Sequence, residues 1–135
     1  MDMQKLSDIM GKFCCGNLAT ISQEGYPDLR GWKFQFIREG KPFFTTSNEK
    51  NVYRQMTANP KATFACSVNG YEVRIMGDVK FAEDPALIEE IYNTMDASVR
   101  KLYPTVDSNG FTAMYFDHGI VKYAKDGGKF DSFTF

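Results

Sequence analysis

Four small polar residues in a row, Thr45, Thr46, Ser47 and Asn48, follow the apolar pair Phe43 and Phe44 and lead directly to Lys50 and Asn51. Hydroxyls, a side-chain amide, an ammonium and the first N–H groups of a helix are the groups that hold a phosphate. The opening N–H groups of a helix have no internal partner, and the helix dipole places partial positive charge beside them. One side chain from Ser47 or Asn48 is enough to cap such a helix. A cap therefore accounts for one member of the run, and a phosphate cradle for all of it together with Lys50. Both readings stand at this point.

A second group lies in "DLRGWKFQF". Strand alternation puts Arg30, Trp32, Phe34 and Phe36 on one face and Leu29, Gly31, Lys33 and Gln35 on the other. A glycine inside a strand weakens it and often marks a bulge or a place where a ligand approaches the backbone. Gly31 thus reads either as a bulge with Trp32 filling the core or as the resting place of a flat ring whose charged end Arg30 holds. Any of Trp32, Phe34 and Phe36 left outside would form an apolar patch suited to a second copy.

Other reactive side chains carry less. His118, the one histidine, sits in "DHGI" and reads as a surface or hydrogen-bonded residue where a strand meets a turn. Without clustered cysteines or acids it makes no zinc site, so no metal is expected. Cys14, Cys15 and Cys66 are odd in number and lack metal spacing, which suits reduced thiols in a cytoplasmic chain. Cys14 and Cys15 could be a redox pair, but small buried hydrophobes are the simpler reading. Glu83 and Asp84 belong to a helix start ahead of Pro85.

The elements that position these residues follow from periodicity. Leu6, Ile9, Met10 and Phe13 predict an amphipathic helix over residues 3–13. "NLATI" is a strand, residues 27–38 form one long strand, and "REGK" is a hairpin turn onto Phe43 and Phe44. Val52 and Met56 mark a short helix that Pro60 ends. Asn69–Gly70 joins "KATFACSV" to "YEVRIMGDVKF", with Val73, Ile75, Val79 and Phe81 on one face. Asp84–Pro85 opens a helix whose spacing runs through Ile88, Ile91, Tyr92, Met95, Val99 and Leu102 to Pro104. "FTAMYF", "IVKYAK" and "KFDSFTF" complete the strands.

The chain of 135 residues, with 12 Phe, 7 Tyr and a net charge of −1, reads as one domain over 1–135. The charge argues against a nucleic-acid partner, no apolar run approaches the roughly 20 residues of a membrane span, and the acidic N-terminus does not resemble a secretory signal. Hairpins dominate, which predicts a mainly β fold: an antiparallel sheet closed into a barrel with helices outside.

The segments "GNLATISQEGYPDLRGWKFQF", "KPFFTTSNEKNVYRQMTANPKATFACSV" and "VRIMGDVKFAED" resemble, in order and spacing, the pyridoxamine 5′-phosphate oxidase-like, FMN-binding split-barrel family. The tail is most similar to its small branch that includes nitroimidazole-resistance-type proteins. The resemblance implies a six-stranded antiparallel split β-barrel with two to three flanking helices. It implies a homodimer with FMN at the subunit interface and a flavin-dependent oxidoreductase acting on a small molecule. Carried over by residue, Arg30 to Gln35 lie along the isoalloxazine, with backbone of Gly31, Trp32 and Lys33 at its edge. Thr45 and Thr46 lie beside the flavin; Ser47, Lys50 and Asn51, with Asn48 in the same run and Arg30, surround the phosphate. Glu72 stands where related enzymes carry glutamine. Basic C-terminal residues for a vitamin B6 phosphate are not recognisable, which argues against that substrate. No histidine falls in the region where nitroimidazole-resistance members carry one, which argues against drug reduction. An electron carrier without an organic substrate, a barrel using F420 or haem, and a cofactor-free interaction module are the alternatives; haem would need His118 as its axial ligand.

Overall fold

The computed structural model describes all residues 1–135. Eight strands form one antiparallel sheet: β1 (Cys15–Ile21), β2 (Pro27–Lys33), β3 (Phe36–Arg38), β4 (Lys41–Ser47), β5 (Lys61–Val68), β6 (Tyr71–Phe81), β7 (Phe111–Lys125) and β8 (Asp131–Thr134). Their order is β2-β1-β5-β6-β7-β4-β3, with β8 added beside β7. The two ends of that order, β2 and β3, are consecutive in the chain, so a hand-over through Phe34 and Gln35 closes the sheet into a barrel. Phe34 N–H still donates to Cys14 O at 2.9 Å, on the β1 side, while Gln35 N–H donates to Phe43 O at 3.1 Å, on the β4 side. The single strand expected over 27–38 is therefore two, because a strand that changes partners must turn out of one ladder to enter the other.

Phenylalanine fills the interior. Phe34, Phe44, Phe64 and Phe116 are fully buried. Their ring centroids lie 5.2 to 6.1 Å apart across four strands or their connections, the spacing at which tilted aromatic pairs attract. Helix α1 (Met3–Met10) and helix α2 (Asn51–Ala58) add Met3, Leu6, Met10, Val52 and Met56 to this core. Asp2 caps α1 by accepting from Lys5 N–H at 2.8 Å. The helix ends at Met10 ahead of Gly11, short of the expected span, and Phe13 packs instead with Phe36 and Phe43 in a second cluster. Phe34 and Phe36 are thus core residues and Trp32 is half-buried against the core. They provide no exposed patch; the outward apolar residues of this region are Tyr26 and Leu29, 72% and 65% exposed.

Three other expectations change. The helix opened by Asp84 and Pro85 ends at Thr94 (α3, Pro85–Thr94), and Asp96 caps a separate short helix α4 (Ala97–Arg100). Asp96 N–H donates to Gln35 Oε1 at 2.9 Å and its carboxylate pairs with Lys33. Those contacts to the barrel replace helix continuity. Leu102, placed on the buried face by periodicity, is 58% exposed. The strands "FTAMYF" and "IVKYAK" are one, β7, which passes through His118 without a turn. The structure has eight strands where the resemblance implied six, and four helices where it implied two to three.

The bend that lets β7 run on is made by Gly77 and Gly119, which face each other where the β6–β7 register shifts. A Cβ on Gly119 would lie 1.9 Å from Met76 O. Gly119→Ala should destabilise the fold by about 1–3 kcal/mol, the usual penalty of overpacking. Gly31 is the control, since nothing lies within 4 Å of the position its Cβ would take. Chemical denaturation should show a lowered midpoint for Gly119→Ala and not for Gly31→Ala; equal midpoints for both variants would refute the close-approach argument.

Candidate functional site

The polar run sits where β4 ends and α2 begins. Alternation divides it. Thr46 shares the inward parity of Phe44 and is 1% exposed, whereas Thr45 and Ser47 belong to the opposite face. Ser47 Oγ donates to Asn109 O at 2.6 Å and accepts from Glu49 N–H at 3.2 Å. Asn48 N–H donates to Gly110 O at 2.9 Å. The loop Asn109–Gly110 is pressed against both residues: a Cβ at Gly110 would come within 2.3 Å of Asn48 Oδ1. Its Asn-Gly pair, both residues at positive φ, was the sequence signal available for this contact.

Neither Ser47 nor Asn48 caps α2. The N-cap position is Lys50, with extended backbone (φ −84°, ψ 150°), and no side chain caps the helix. The cap reading of the run is thereby overturned. Asn51 is the first helical residue, beside the uncapped end.

The three cations expected near a ligand part company. Arg30 Nη1 donates to Thr20 Oγ1 at 2.7 Å and to Leu18 O at 3.2 Å. Its Nη2 donates to Gln55 Oε1 at 3.1 Å and pairs with Asp28 at 3.1 Å. Gln55 Nε2 donates to Asp28 Oδ2 at 2.9 Å, so the Gln55 amide, followed by Arg30, holds the Asp28 carboxyl below its ordinary range. This closed network ties β1 and β2 to α2. Asn51 and Gln55 stand four apart, so Arg30 meets the helix one turn beyond its start. Lys33 pairs with Asp96 at 2.5 Å. Lys50 alone of the three has no carboxylate partner. Thr20, Asp28, Gln55 and Asp96, which build these contacts, carry no local sequence signal; only the fold brings them together.

Three buried polar atoms lack any hydrogen-bond partner: Trp32 Nε1, Gln35 Nε2 and Thr46 Oγ1. Each orphan costs about 1–3 kcal/mol unless something satisfies it. They sit on β2, the hand-over and β4. Gly31 precedes the first of them on β2. Its register with β1 is unbroken, so no bulge exists there, and nothing inside the chain lies within 4 Å of the position a Cβ would take. Packing within the chain gives no reason for a glycine. An uncapped helix start, a free lysine, orphaned polar atoms and an open glycine together fit a phosphate-bearing planar ligand such as FMN.

The principal grooves lie elsewhere. One of about 670 Å³ crosses β1, β5, β6 and β7 and is lined by Lys61, Met76, His118 and Phe135 among others. Others of about 570 and 410 Å³ lie by α2 and across β1 and β5. None contains any of the ten residues Arg30, Gly31, Trp32, Lys33, Thr45, Thr46, Ser47, Asn48, Lys50 and Asn51. His118 is exposed in mid-strand, its Nδ1 3.4 Å from Asp117 and its Nε2 3.8 Å from Asp78. No group of three or more histidine, cysteine or acidic residues could hold a metal ion, and no helix is long and apolar enough to cross a membrane.

An antiparallel sheet closed into a split barrel defines the class of fold. Residues 3–124 match the family model described as pyridoxamine 5′-phosphate oxidase, and the chain belongs to that family. No curated protein sequence matches it significantly. Among solved structures it is similar to a NimC/NimA family protein of Clostridium acetobutylicum, with 23% identity, 98% of this chain and 93% of that chain covered, and a TM-score of 0.82. It is also similar to a haem-binding protein of Mycobacterium smegmatis, with 20% identity, 98% and 57% coverage, and a TM-score of 0.78. A pyridoxamine 5′-phosphate oxidase-related, FMN-binding protein of Nostoc punctiforme matches with 14% identity, 90% and 87% coverage, and a TM-score of 0.67. At these identities the three structures share the fold.

The Lys33–Asp96 pair sets a pH dependence. Hydrogen bonds from Lys33 and from Ser98 hold Asp96 at about 2. A carboxyl depressed on folding adds stability above its unfolded pKa and loses it as pH falls through the folded one. Stability should therefore decline between about pH 4 and pH 2, and Asp96→Asn should flatten part of that decline. Acid titrations of unfolding free energy on both proteins measure it; superimposable profiles would remove Asp96 as a contributor.

Proposed function

We propose that this protein binds FMN as a homodimer and is a flavin-dependent oxidoreductase acting on a small molecule. The family includes FMN-dependent oxidases, which supports the reading at the level of class. The observation that carries it to this chain is the start of α2: a helix with no side-chain cap, Lys50 without a partner at its N-cap position, and the orphaned Thr46 Oγ1 nearby in sequence. Lys50, Asn51, Ser47 and Asn48 would hold the phosphate, with the helix N-terminus adding donors and positive potential. The open side of β2 at Gly31, flanked by Trp32 and Lys33, would take the ring, and Thr45 and Thr46 would lie beside it. When bound, FMN supplies the electron transfer, and the protein's part is to position it and tune its surroundings. Arg30 supports this site through Gln55, fixing α2 against β1 and β2. Glu72, on the outer parity of β6, puts a carboxylate where related enzymes carry an amide.

Lys50→Ala should weaken FMN by the worth of a charge-assisted hydrogen bond, about 1.5–3 kcal/mol, or roughly 10- to 150-fold. It should leave riboflavin, which lacks the phosphate, almost unchanged. Gly31→Val should weaken both flavins. Fluorescence titrations of both ligands test this. An equal loss of FMN and riboflavin in Lys50→Ala would sink the phosphate assignment. The visible spectrum of the purified protein separates a flavin from the haem alternative, for which His118 would be the only histidine available.

The dimer is argued from the same edge. β2 pairs only with β1, and its outward side presents Leu29 beside Gly31. Covering it should bury more than about 1,200 Å² in total. Light scattering at micromolar concentration with FMN added should give twice the chain mass of 15.4 kDa. A monomer that binds FMN with full affinity would exclude a shared site.

A further inference from the structure

Two thiols far apart in sequence meet at the barrel's seam. Cys14 and Cys66 are separated by 52 residues, yet their sulfurs lie 3.8 Å apart in hydrogen-bond contact. Cys14 is fixed where the barrel closes: its carbonyl accepts Phe34 N–H at 2.9 Å, and the N–H of the preceding Phe13 donates to Gln35 O at 3.0 Å. Cys66 is buried on β5 opposite Val73 and belongs to the main core. Cys14 is the half-exposed member of the pair and so the one a small solute in solvent meets first. Cys15, the exposed neighbour, begins β1, pairs in register with Lys33 and lines one groove with Cys66, but no hydrogen bond joins it to either thiol. The adjacent pair suggested by the sequence is therefore not the pair that the fold assembles.

We propose that Cys14 and Cys66 are an oxidisable dithiol, in which a hydroperoxide oxidises Cys14 and Cys66 then closes a disulfide across the seam. In the first step the Cys14 thiolate attacks one peroxide oxygen, the O–O bond breaks, and hydroxide or alkoxide leaves; Cys14 becomes a sulfenic acid. In the second step the Cys66 sulfur attacks Cys14, the S–O bond breaks, and water leaves with the Cys66 proton. The two thiols give up two electrons and the peroxide accepts them. A disulfide needs its sulfurs about 2.05 Å apart, so the contact has to shorten by less than about 2 Å.

The division of labour follows from the contact. When Cys14 ionises, the Cys66 S–H becomes the donor to its thiolate; that hydrogen bond lowers the pKa of Cys14, and the same bond together with burial raises that of Cys66. The thiolate is the nucleophile in such chemistry. The cross-link would pin the hand-over of Phe34 and Gln35 to β5, closing a long loop in the unfolded chain and raising the thermal midpoint.

The test uses the full chain, fully reduced, then treated with hydrogen peroxide and quenched by alkylation. The three thiols should fall to one, at Cys15. A non-reducing peptide map should join the peptides of Cys14 and Cys66, the thermal midpoint should rise, and dithiothreitol should reverse both changes. Cys15→Ser should form the same cross-link. Cys66→Ser should form none and should accumulate a Cys14 sulfenic acid that dimedone traps. Cys14→Ser, tested in parallel, should protect Cys66 from peroxide. A Cys14–Cys15 link, a Cys15 link between chains as the main product, or Cys14 and Cys66 both surviving peroxide that oxidises Cys15 would each overturn the proposal.

Discussion

The structure depends on one change of partner. Residues 27–33 pair with β1 and residues 36–38 with β4, and two residues between them carry the chain from one end of the sheet to the other. An open sheet would leave the inward phenylalanines without the facing strands that bury them. Closing it places Phe34 against Phe44 and Phe64. It also turns Gln35 inward, where its side-chain oxygen accepts Asp96 N–H and thereby anchors the start of α4. The seam thus fixes the core, the helix break at Asp96 and the orientation of the strand that carries Arg30, Gly31 and Trp32.

Much of this was readable from local chemistry. The Asp84–Pro85 helix start, the Asn69–Gly70 hairpin, the alternation of Val73, Ile75 and Val79, and the short helix through Val52 and Met56 are decided within a few residues of themselves, so the sequence states them directly. What could not be read was decided at long range. Strand periodicity continues through Phe34 and Gln35 without noticing that the partner has changed. Helical spacing continues through Val99 and Leu102 because nothing local shows that Asp96 prefers Lys33 and Gln35. At Gly119 the glycine read as a turn is instead what lets β7 bend and continue.

The candidate site divides in the same way. Residue types at the β4–α2 junction suggested either a cap or an anion cradle, and the structure shows no side chain capping α2. The company each residue keeps was hidden. Arg30, read as a phosphate ligand, has its guanidinium engaged by Thr20, Asp28 and Gln55. Lys33 is engaged by Asp96. Of the three cations, Lys50 alone keeps a charge that no carboxylate pairs, at the uncapped start of α2.

A helix that begins unfinished has a bearing on how long the molecule survives. An anion seated at the start of α2 would bind the folded chain and not the unfolded one, adding stability in proportion to the logarithm of its concentration over its dissociation constant. Marginal domains are culled by proteases through their unfolded fraction. The abundance of this protein in a growing cell would therefore follow the supply of whatever completes that helix, with the empty chains removed first and no dedicated regulator involved.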